Sequence, residues 1–344
     1  MTQRVGVALS GGADSAIAAS LLLSQGYHVF GVHLLMTHSP QANLQARHAQ
    51  RIASHLGIEF ELIDVADTFE SSVVTPFCRE YALGRTPNPC VTCNREIKFG
   101  LLLQIILERG ADLLSTGHYG RIGTDEGRHL LQKAADRRAD QSYFLYAIPP
   151  PSLSRLVMPL GNLPRPEVRS LASQQALRPA RSSQDICFVG SDDYRSFVSS
   201  RVNASPGDIV DTQGVVRGRH RGLPYYTVGQ RHGLGIALGE PKYVVRLDAE
   251  RNRIIVGDAD ALLRRTALVR QINWLLDPPA GGDFVVQAKT RYRARCTAAR
   301  VSLRPDGALV YFEQPQRAVA PGQSIVFYDG DSVIGGGIII ESHE

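Results

Sequence analysis

Apolar and polar positions along the first third of the chain alternate between short hydrophobic runs and stretches with helical spacing. Val5–Leu9 is a continuous apolar run and predicts a strand, followed after a turn by a helix over Ala16–Gln25 that Gly26 stops. The same alternation predicts a strand at His28–Leu35, a helix at Leu44–His55 capped by Gly57, and strands at Ile58–Asp64 and Ala111–Thr116. The last of these runs into Gly117-His118-Tyr119. Three consecutive prolines, Pro149–Pro151, make a stiff break, and Arg165–Gln175 reads as a short helix with Pro166 in its first turn.

Beyond Pro206-Gly207 the pattern changes to short β runs separated by turns. Asp208–Asp211, Tyr225–Val228, Tyr243–Leu247 and Arg253–Val256 form one group, and a second β-rich stretch extends from Phe284 to Ile340. These predict one or two small barrels or sandwiches, with a boundary near Ala261–Gln271. The apolar content is that of a soluble globular protein, and no apolar run reaches the ~18–20 residues needed to span a bilayer. Five cysteines in 344 residues do not form a disulfide framework. Together with an N-terminus that lacks signal-peptide character, this predicts a cytoplasmic protein without membrane partners. A net charge of +5 permits an anionic partner without requiring one. Its distribution is more telling. Lys289, Arg291, Arg293, Arg295, Arg300 and Arg304 lie in a stretch with no acidic residue, and Arg217, Arg219, His220 and Arg221 form a second cluster. Such arginine clusters suit phosphate.

Two stretches carry candidate chemistry. The first is Arg85–Phe99, where Pro87 and Pro89 flank Asn88 and precede Cys90-Val91-Thr92-Cys93. Its prolines predict a rigid loop holding both thiols out from the fold, with a helix beginning after Asn94. Thiols at a helix mouth would have lowered pKa values. A sulfur nucleophile, a redox pair, half a metal site and two ordinary loop cysteines all fit that pattern. The second is Ser10-Gly11-Gly12-Ala13-Asp14-Ser15, a glycine turn between strand and helix that matches neither the Walker nor the dinucleotide fingerprint. Glycines admit a ligand close to the backbone, and free N–H groups at a helix start attract phosphate. Cys187, in an apolar segment of Ser182–Gly190, reads by default as a buried inert thiol.

The Ser10–Ser15 loop resembles the pyrophosphate-binding loop of the ATP pyrophosphatase (PP-loop) superfamily, which implies an α/β fold with a parallel sheet covered by helices on both faces. Further along, Thr86–Phe99, Thr116–Tyr119, Asp140–Leu145, Gln184–Phe188, Tyr226–Arg231, Arg291–Arg293 and Pro321–Gln323 follow in an order that narrows the resemblance. The whole chain is similar to the bacterial tRNA-specific 2-thiouridylase (MnmA/TrmU) family. That resemblance implies a PP-loop ATP-binding catalytic domain at 1–205, a small central β-rich domain at 206–265 and a C-terminal β-barrel-like tRNA-binding domain at 266–344. It implies that ATP, with Mg2+, adenylates the C2 oxygen of a wobble uridine, and that sulfur from a cysteine persulfide replaces it. A persulfide donor, either a cysteine desulfurase or a sulfur relay protein, would supply the sulfur.

Position by position, the resemblance makes Cys93 the nucleophile and Cys187 the persulfide carrier. It places ATP against Ala8, Leu9, Ser10, Gly11, Gly12, Ala13, Asp14, Ser15, Leu34 and Gly117. Asn88, Pro89 and Cys90 would meet the target base, and His118, Ala139, Asp140, Gln141, Arg291, Tyr292 and Gln323 the tRNA. Three positions depart from the commonest family pattern: Leu34 stands for Met, Ala139 for Lys and Cys90 for Asp. The extra thiol opens an alternative in which Cys90, Cys93 and Cys187 hold a [4Fe–4S] cluster. A small-molecule ATP ligase of the same superfamily and a non-enzymatic zinc or redox module are the remaining readings.

Overall fold

A computed structural model describes residues 2–177, 186–189, 194–236, 239–279 and 281–344. Strand β1 (Arg4–Ala8) leads through the glycine turn into helix α1 (Ala13–Ser24), then β2 (His28–Leu35), α2 (Pro40–Leu56) and β3 (Glu59–Asp64). α2 begins on Ser39, whose hydroxyl accepts the Ala42 amide at 3.2 Å, and ends on Gly57 with φ of +66°. The chain is helical over 66–82 and again over 89–108, and returns to the sheet as β4 (Leu113–Ser115). A hairpin, β5 (Arg121–Asp125) and β6 (Arg128–Gln132), precedes the short β7 (Leu156–Val157) and the helix Arg165–Gln174.

β3, β2, β1, β4 and β7 lie side by side in that order and all run parallel. Side chains on the two faces of the sheet enter different cores. Val5, Val7 and Val29 pack with Ile17, Leu22 and Val168 on one side. Phe30, Val32 and Leu34 pack with Phe69, Phe77, Ile97 and Leu102 on the other. Apolar residues on both faces are what a doubly covered parallel sheet requires. The strand order reverses direction between β1 and β4, so the crevice beyond their C-terminal ends is where such a fold binds ligands.

Four more strands form the central unit: β8 (Gly207–Asp211), β9 (Val216–His220), β10 (Tyr243–Asp248) and β11 (Arg253–Gly257), ordered β10-β11-β8-β9. The expected strand at Tyr225–Val228 is instead a 3₁₀ turn over Leu223–Tyr225 with Tyr226 buried behind it. Pro224 withholds a backbone donor there, which suits a turn better than a ladder. Within the expected boundary region Ala261–Gln271 the last unit opens with a long strand, β12 (Leu263–Trp274). β13 (Asp283–Lys289), β14 (Thr297–Arg304), β15 (Gly307–Arg317), β16 (Ser324–Asp329) and β17 (Ser332–His343) complete a barrel, closed by the pairing of β12 with β17.

The barrel docks on the first unit through buried polar contacts. Tyr143 donates its hydroxyl to Ser324 O at 2.9 Å, and Asn273 Nδ2 donates to Tyr146 O at 2.8 Å and Ile148 O at 2.9 Å. β6 adds one pairing to the barrel, Gln132 with Ser332. Arg85–Thr86 is held the same way: Thr86 N donates to Pro321 O, and Gln323 Nε2 donates to Thr86 O, both at 2.8 Å. The barrel therefore fixes the segment that leads into Cys90 and Cys93.

Candidate active site

The glycine turn is built by its own hydroxyls. Ser10 N donates to Ser15 Oγ at 3.1 Å, Gly12 N to Ser10 Oγ at 3.3 Å, and Ser15 Oγ to Gly12 O at 3.1 Å. Gly12 is the N-cap of α1 and offers no side-chain cap, so the first amides of the helix are left free at the crevice. Gly11 sits at φ +77°, and a Cβ there would stand 2.7 Å from Gln45 O. From β4, Gly117 presses so closely on α1 that a Cβ would meet Ser15 N at 2.7 Å. Tyr119 donates its hydroxyl to Asp14 Oδ1 at 3.0 Å; burial and the Asp14 charge hold that phenol protonated, far above its ordinary range. From β2, His33 Nδ1 donates to Leu9 O at 2.7 Å, and burial lowers its pKa, so the ring stays neutral.

The sulfur side differs from the sequence expectation. The helix starts at Pro89, on Asn88 in extended conformation, and not after Asn94. Proline is tolerated at that first position because its missing N–H would be unpaired anyway. Cys90 thus sits in the first turn and Cys93 in the second, buried, and neither is held out from the fold. Burial raises both thiols above their ordinary value, against the lowering expected at a helix mouth. Over Cys93–Leu102 the helix takes the wider π form. Lys98 follows Cys93 on this wider helix, and both line the crevice. Lys98 Nζ donates to Asn94 Oδ1 at 3.0 Å, and Asn94 Nδ2 donates to Phe144 O at 2.9 Å, fixing the ammonium. Its charge pulls the thiols of Cys90, Cys93 and Cys187 downward, against burial.

One cavity of about 760 Å³ joins the two sides. Ala8 to Ser15, Leu34 and Gly117 line it, as do Pro89, Cys90, Cys93, His118, Gln141 and Cys187. Ninety-four positions of sequence between Cys93 and Cys187 are closed by the fold. Cys187 is exposed, not buried as its apolar segment suggested, and it lines the cavity. Its sulfur is nonetheless deep in the protein, and desolvation pushes its thiol up to about 12, with Cys93 and Cys90 adding to the rise. His118 bonds Thr116 Oγ1 through Nδ1 at 2.8 Å and packs on Phe99; burial keeps it neutral. Gln184 and Asp185 lie outside the described residues.

Other expected positions stand apart from the cavity. Ala139 is buried in the core around α1. Asp140 is buried and organises its own loop, accepting Ala134 N at 3.0 Å, Ser142 N at 3.1 Å and Ser142 Oγ at 2.9 Å. Tyr292 packs on Phe144, centroids 4.4 Å apart, beside exposed Arg291. Gln323 grips Thr86. Sequence reasoning assigned no role to Lys98, Arg165 or Arg169, which also line the cavity. Recognising Lys98 required knowing that the helix is π-wound there, and nothing in its spacing from Cys93 signals that.

A parallel sheet with a phosphate-suited turn at its switch point, joined to two β units, defines a nucleotide-binding enzyme of the HUP type with appended barrels. Family models match accordingly: a tRNA methyl transferase HUP domain at residues 3–191, a tRNA methyl transferase PRC-barrel domain at 195–258 and an aminomethyltransferase beta-barrel domain at 264–339. The tRNA-specific 2-thiouridylase MnmA of Desulforudis audaxviator is 45% identical over 341 residues, covering 97% of this chain and 98% of that protein. That of Moorella thermoacetica is 45% identical over 350 residues, with the same coverage. The chain belongs to the tRNA-specific 2-thiouridylase MnmA family. A U34-tRNA thiolase NcsA from Methanococcus maripaludis, solved with its [4Fe-4S] cluster, overlaps 58% of this chain and 63% of its own at 21% identity and a TM-score of 0.37, too slight a likeness to carry weight.

Proposed function

We propose that the chain is a tRNA-uridine 2-sulfurtransferase that adenylates the C2 oxygen of the wobble uridine and replaces it with sulfur carried as a persulfide on Cys187. The convergence of the phosphate-suited turn, Cys93 and Cys187 on one cavity supports this reading. ATP arrives with Mg2+, its phosphates on the amides of Gly11 to Ser15. The uridine oxygen attacks the α-phosphorus, and pyrophosphate leaves. An amide-like oxygen is a poor leaving group; as an adenylate it departs as AMP. The terminal sulfur of the Cys187 persulfide bonds to C2 as AMP leaves. Cys93 thiolate attacks the inner sulfur of Cys187, the S–S bond breaks, and its electron pair goes to the transferred sulfur. A Cys93–Cys187 disulfide remains, and two electrons from the thiols of a persulfide donor or another reductant restore the enzyme.

The cluster alternative requires Cys90, Cys93 and Cys187 to converge on one centre. Among the described residues no group of three or more Cys, His, Asp or Glu side chains is placed to hold a metal ion. The three thiols do line the one cavity, and the steps above are carried by the thiols alone. The barrel loop with Arg291 and Tyr292, and the 85–89 segment with Asn88, are the proposed RNA contacts.

Nucleoside mass spectrometry on tRNA treated with enzyme, ATP and a persulfide source provides the test. Wild type should form 2-thiouridine, and Cys187→Ser and Cys93→Ser should each reduce it by at least about 10³-fold, as loss of a nucleophile does. Full activity in Cys187→Ser, or activity that tracks iron and sulfide content after anaerobic purification, would contradict the persulfide route.

A further inference from the structure

The helix Arg165–Gln174 packs on α1 through buried Val168 and Ala172, and Ser20 Oγ donates to Gln175 Oε1 at 2.7 Å to tie its far end down. This fixed placement turns Arg165 and Arg169, one helical turn apart, toward the cavity that the Ser10–Ser15 turn lines from the other side. Arg165 reaches within 5.9 Å of the Tyr119 ring, whose hydroxyl holds Asp14 of the turn. Its backbone amide is occupied by Asp136 at 3.1 Å, yet its Nε is buried with no hydrogen-bond partner. Among the described residues, neither guanidinium has an acidic partner.

A buried, unpaired guanidinium nitrogen leaves a donor unsatisfied, a cost that an anion in the cavity would offset. Arginine forks match phosphate oxygens bidentately, and here they stand opposite amides that already favour phosphate. We infer that Arg165 and Arg169 bind the β and γ phosphates of the nucleotide and hold the pyrophosphate as it departs. This rests on the proposed ATP site and extends it to a triphosphate-specific subsite. As the uridine oxygen attacks, the bond between the α-phosphorus and the bridging oxygen breaks, and its electron pair remains on the pyrophosphate. The two cations meet that growing charge. Stabilisation that increases along the step acts on rate as well as binding. An RNA phosphate is the competing occupant, because the Arg165 charge also reaches Tyr292 of the barrel loop; both arginines line the cavity that holds the glycine turn, which favours the nucleotide.

The test is direct binding of ATP, AMP and inorganic pyrophosphate, each with Mg2+, to the full chain without tRNA, with tRNA affinity measured in a separate titration. Wild type is compared with Arg165→Gln, Arg169→Gln and Arg165→Lys, each checked for an unchanged melting temperature. Each glutamine variant should lose about tenfold or more in affinity for ATP and pyrophosphate, the usual return of a charge-assisted hydrogen bond, with AMP unaffected. Arg165→Lys should recover part of the loss. Arg169→Gln, on an exposed position, keeps the test open if Arg165→Gln folds poorly. Unchanged ATP and pyrophosphate affinity in both glutamine variants would overturn the inference, as would equal losses for AMP and ATP. A fall in tRNA affinity with ATP affinity intact would reassign the arginines to RNA and also overturn it. Failure of wild type itself to bind ATP would instead refute the nucleotide site on which the inference rests.

Discussion

Replacing Gly117 by alanine isolates the contact on which the phosphate-binding turn rests. The new Cβ would stand 2.7 Å from Ser15 N, 2.9 Å from the Asp14 carbonyl carbon and 3.0 Å from Ser15 Cα, where ordinary contact begins at 3.4 Å. All three atoms are backbone, so no rotamer change relieves the clash, and the β4 end and the start of α1 must part by several tenths of an ångström. Overpacking of this kind costs about 1–3 kcal/mol. If the displacement falls on the turn, that cost appears as a loss of about 5- to 150-fold in ATP affinity. Calorimetric titration with ATP, paired with thermal unfolding, measures both parts. Gly127→Ala is the control: its hairpin position has φ of +79° but nothing within 4 Å, so it should lower the melting temperature and leave ATP affinity alone. Gly117→Ala binding ATP within about twofold of wild type would refute the claim that this close approach sets the turn.

Two further outcomes follow from buried groups. Burial holds the thiols of Cys90 and Cys93 above their ordinary value and Cys187 at about 12, so below those values the reactive thiolate grows with pH. Iodoacetamide labelling of the folded enzyme, read by peptide mass spectrometry, should therefore rise steeply from pH 7 to 10 and lag behind the denatured chain, whose thiols titrate near ~8.5. Lys98→Met should slow labelling of all three at each pH and Lys98→Arg should not; a rate insensitive to both variants contradicts the role given to Lys98. By the same linkage, stability contributed by these thiols is complete below about pH 8.5 and is lost as pH rises toward the folded-state values, because only the unfolded thiols ionise in that window. Asp140→Ala leaves the Ala134 and Ser142 amides and the Ser142 hydroxyl without their acceptor inside the protein. It should cost about 2–4 kcal/mol and lower the melting temperature by roughly 5–15 °C, with a smaller drop for Asp140→Asn, measured by scanning fluorimetry.

Legibility in the sequence followed the range of the interaction that decides each element. Strands buried on both faces, such as Val5–Ala8 and His28–Leu35, announce themselves as apolar runs, and Gly57 marks the end of α2 because only a left-handed cap follows. The turn at Ser10–Ser15 was legible because its hydroxyls bond within five positions. The hairpin of β5 and β6 was missed: it turns on Glu126-Gly127, both at positive φ, and not on the usual Asn-Gly or Asp-Gly pair. The helix over 66–82 was missed as well, since its π segment at Glu70–Val74 breaks the helical period. Among site residues, the thiols were found by their chemistry. Their neutral state was not, because desolvation is a property of the assembled cores on both sides of the 89–108 helix.

Taken together, the placement of charge explains why this cavity needs cations on two walls. The proposed chemistry brings a polyphosphate and an anionic sulfur into one volume of about 760 Å³, and like charges in a low-dielectric space repel strongly. In that proposed chemistry a single shared cation would have to serve both the departing pyrophosphate and the transferred sulfur. The fold separates the tasks. Arg165 and Arg169 line the cavity with the glycine turn from a helix clamped on α1, and Lys98 lines it with Cys93 from the π-wound helix, held by Asn94. Neither wall can drift toward the other, because one is packed on the α1 side of the sheet and the other on the opposite face. Sulfur therefore gains its negative charge beside Lys98 without taking the counter-charge away from the phosphates. This also explains how thiols kept neutral by burial in the free enzyme can be used. The desolvation that suppresses stray thiolate also strengthens the ammonium's attraction for any sulfur anion formed beside it.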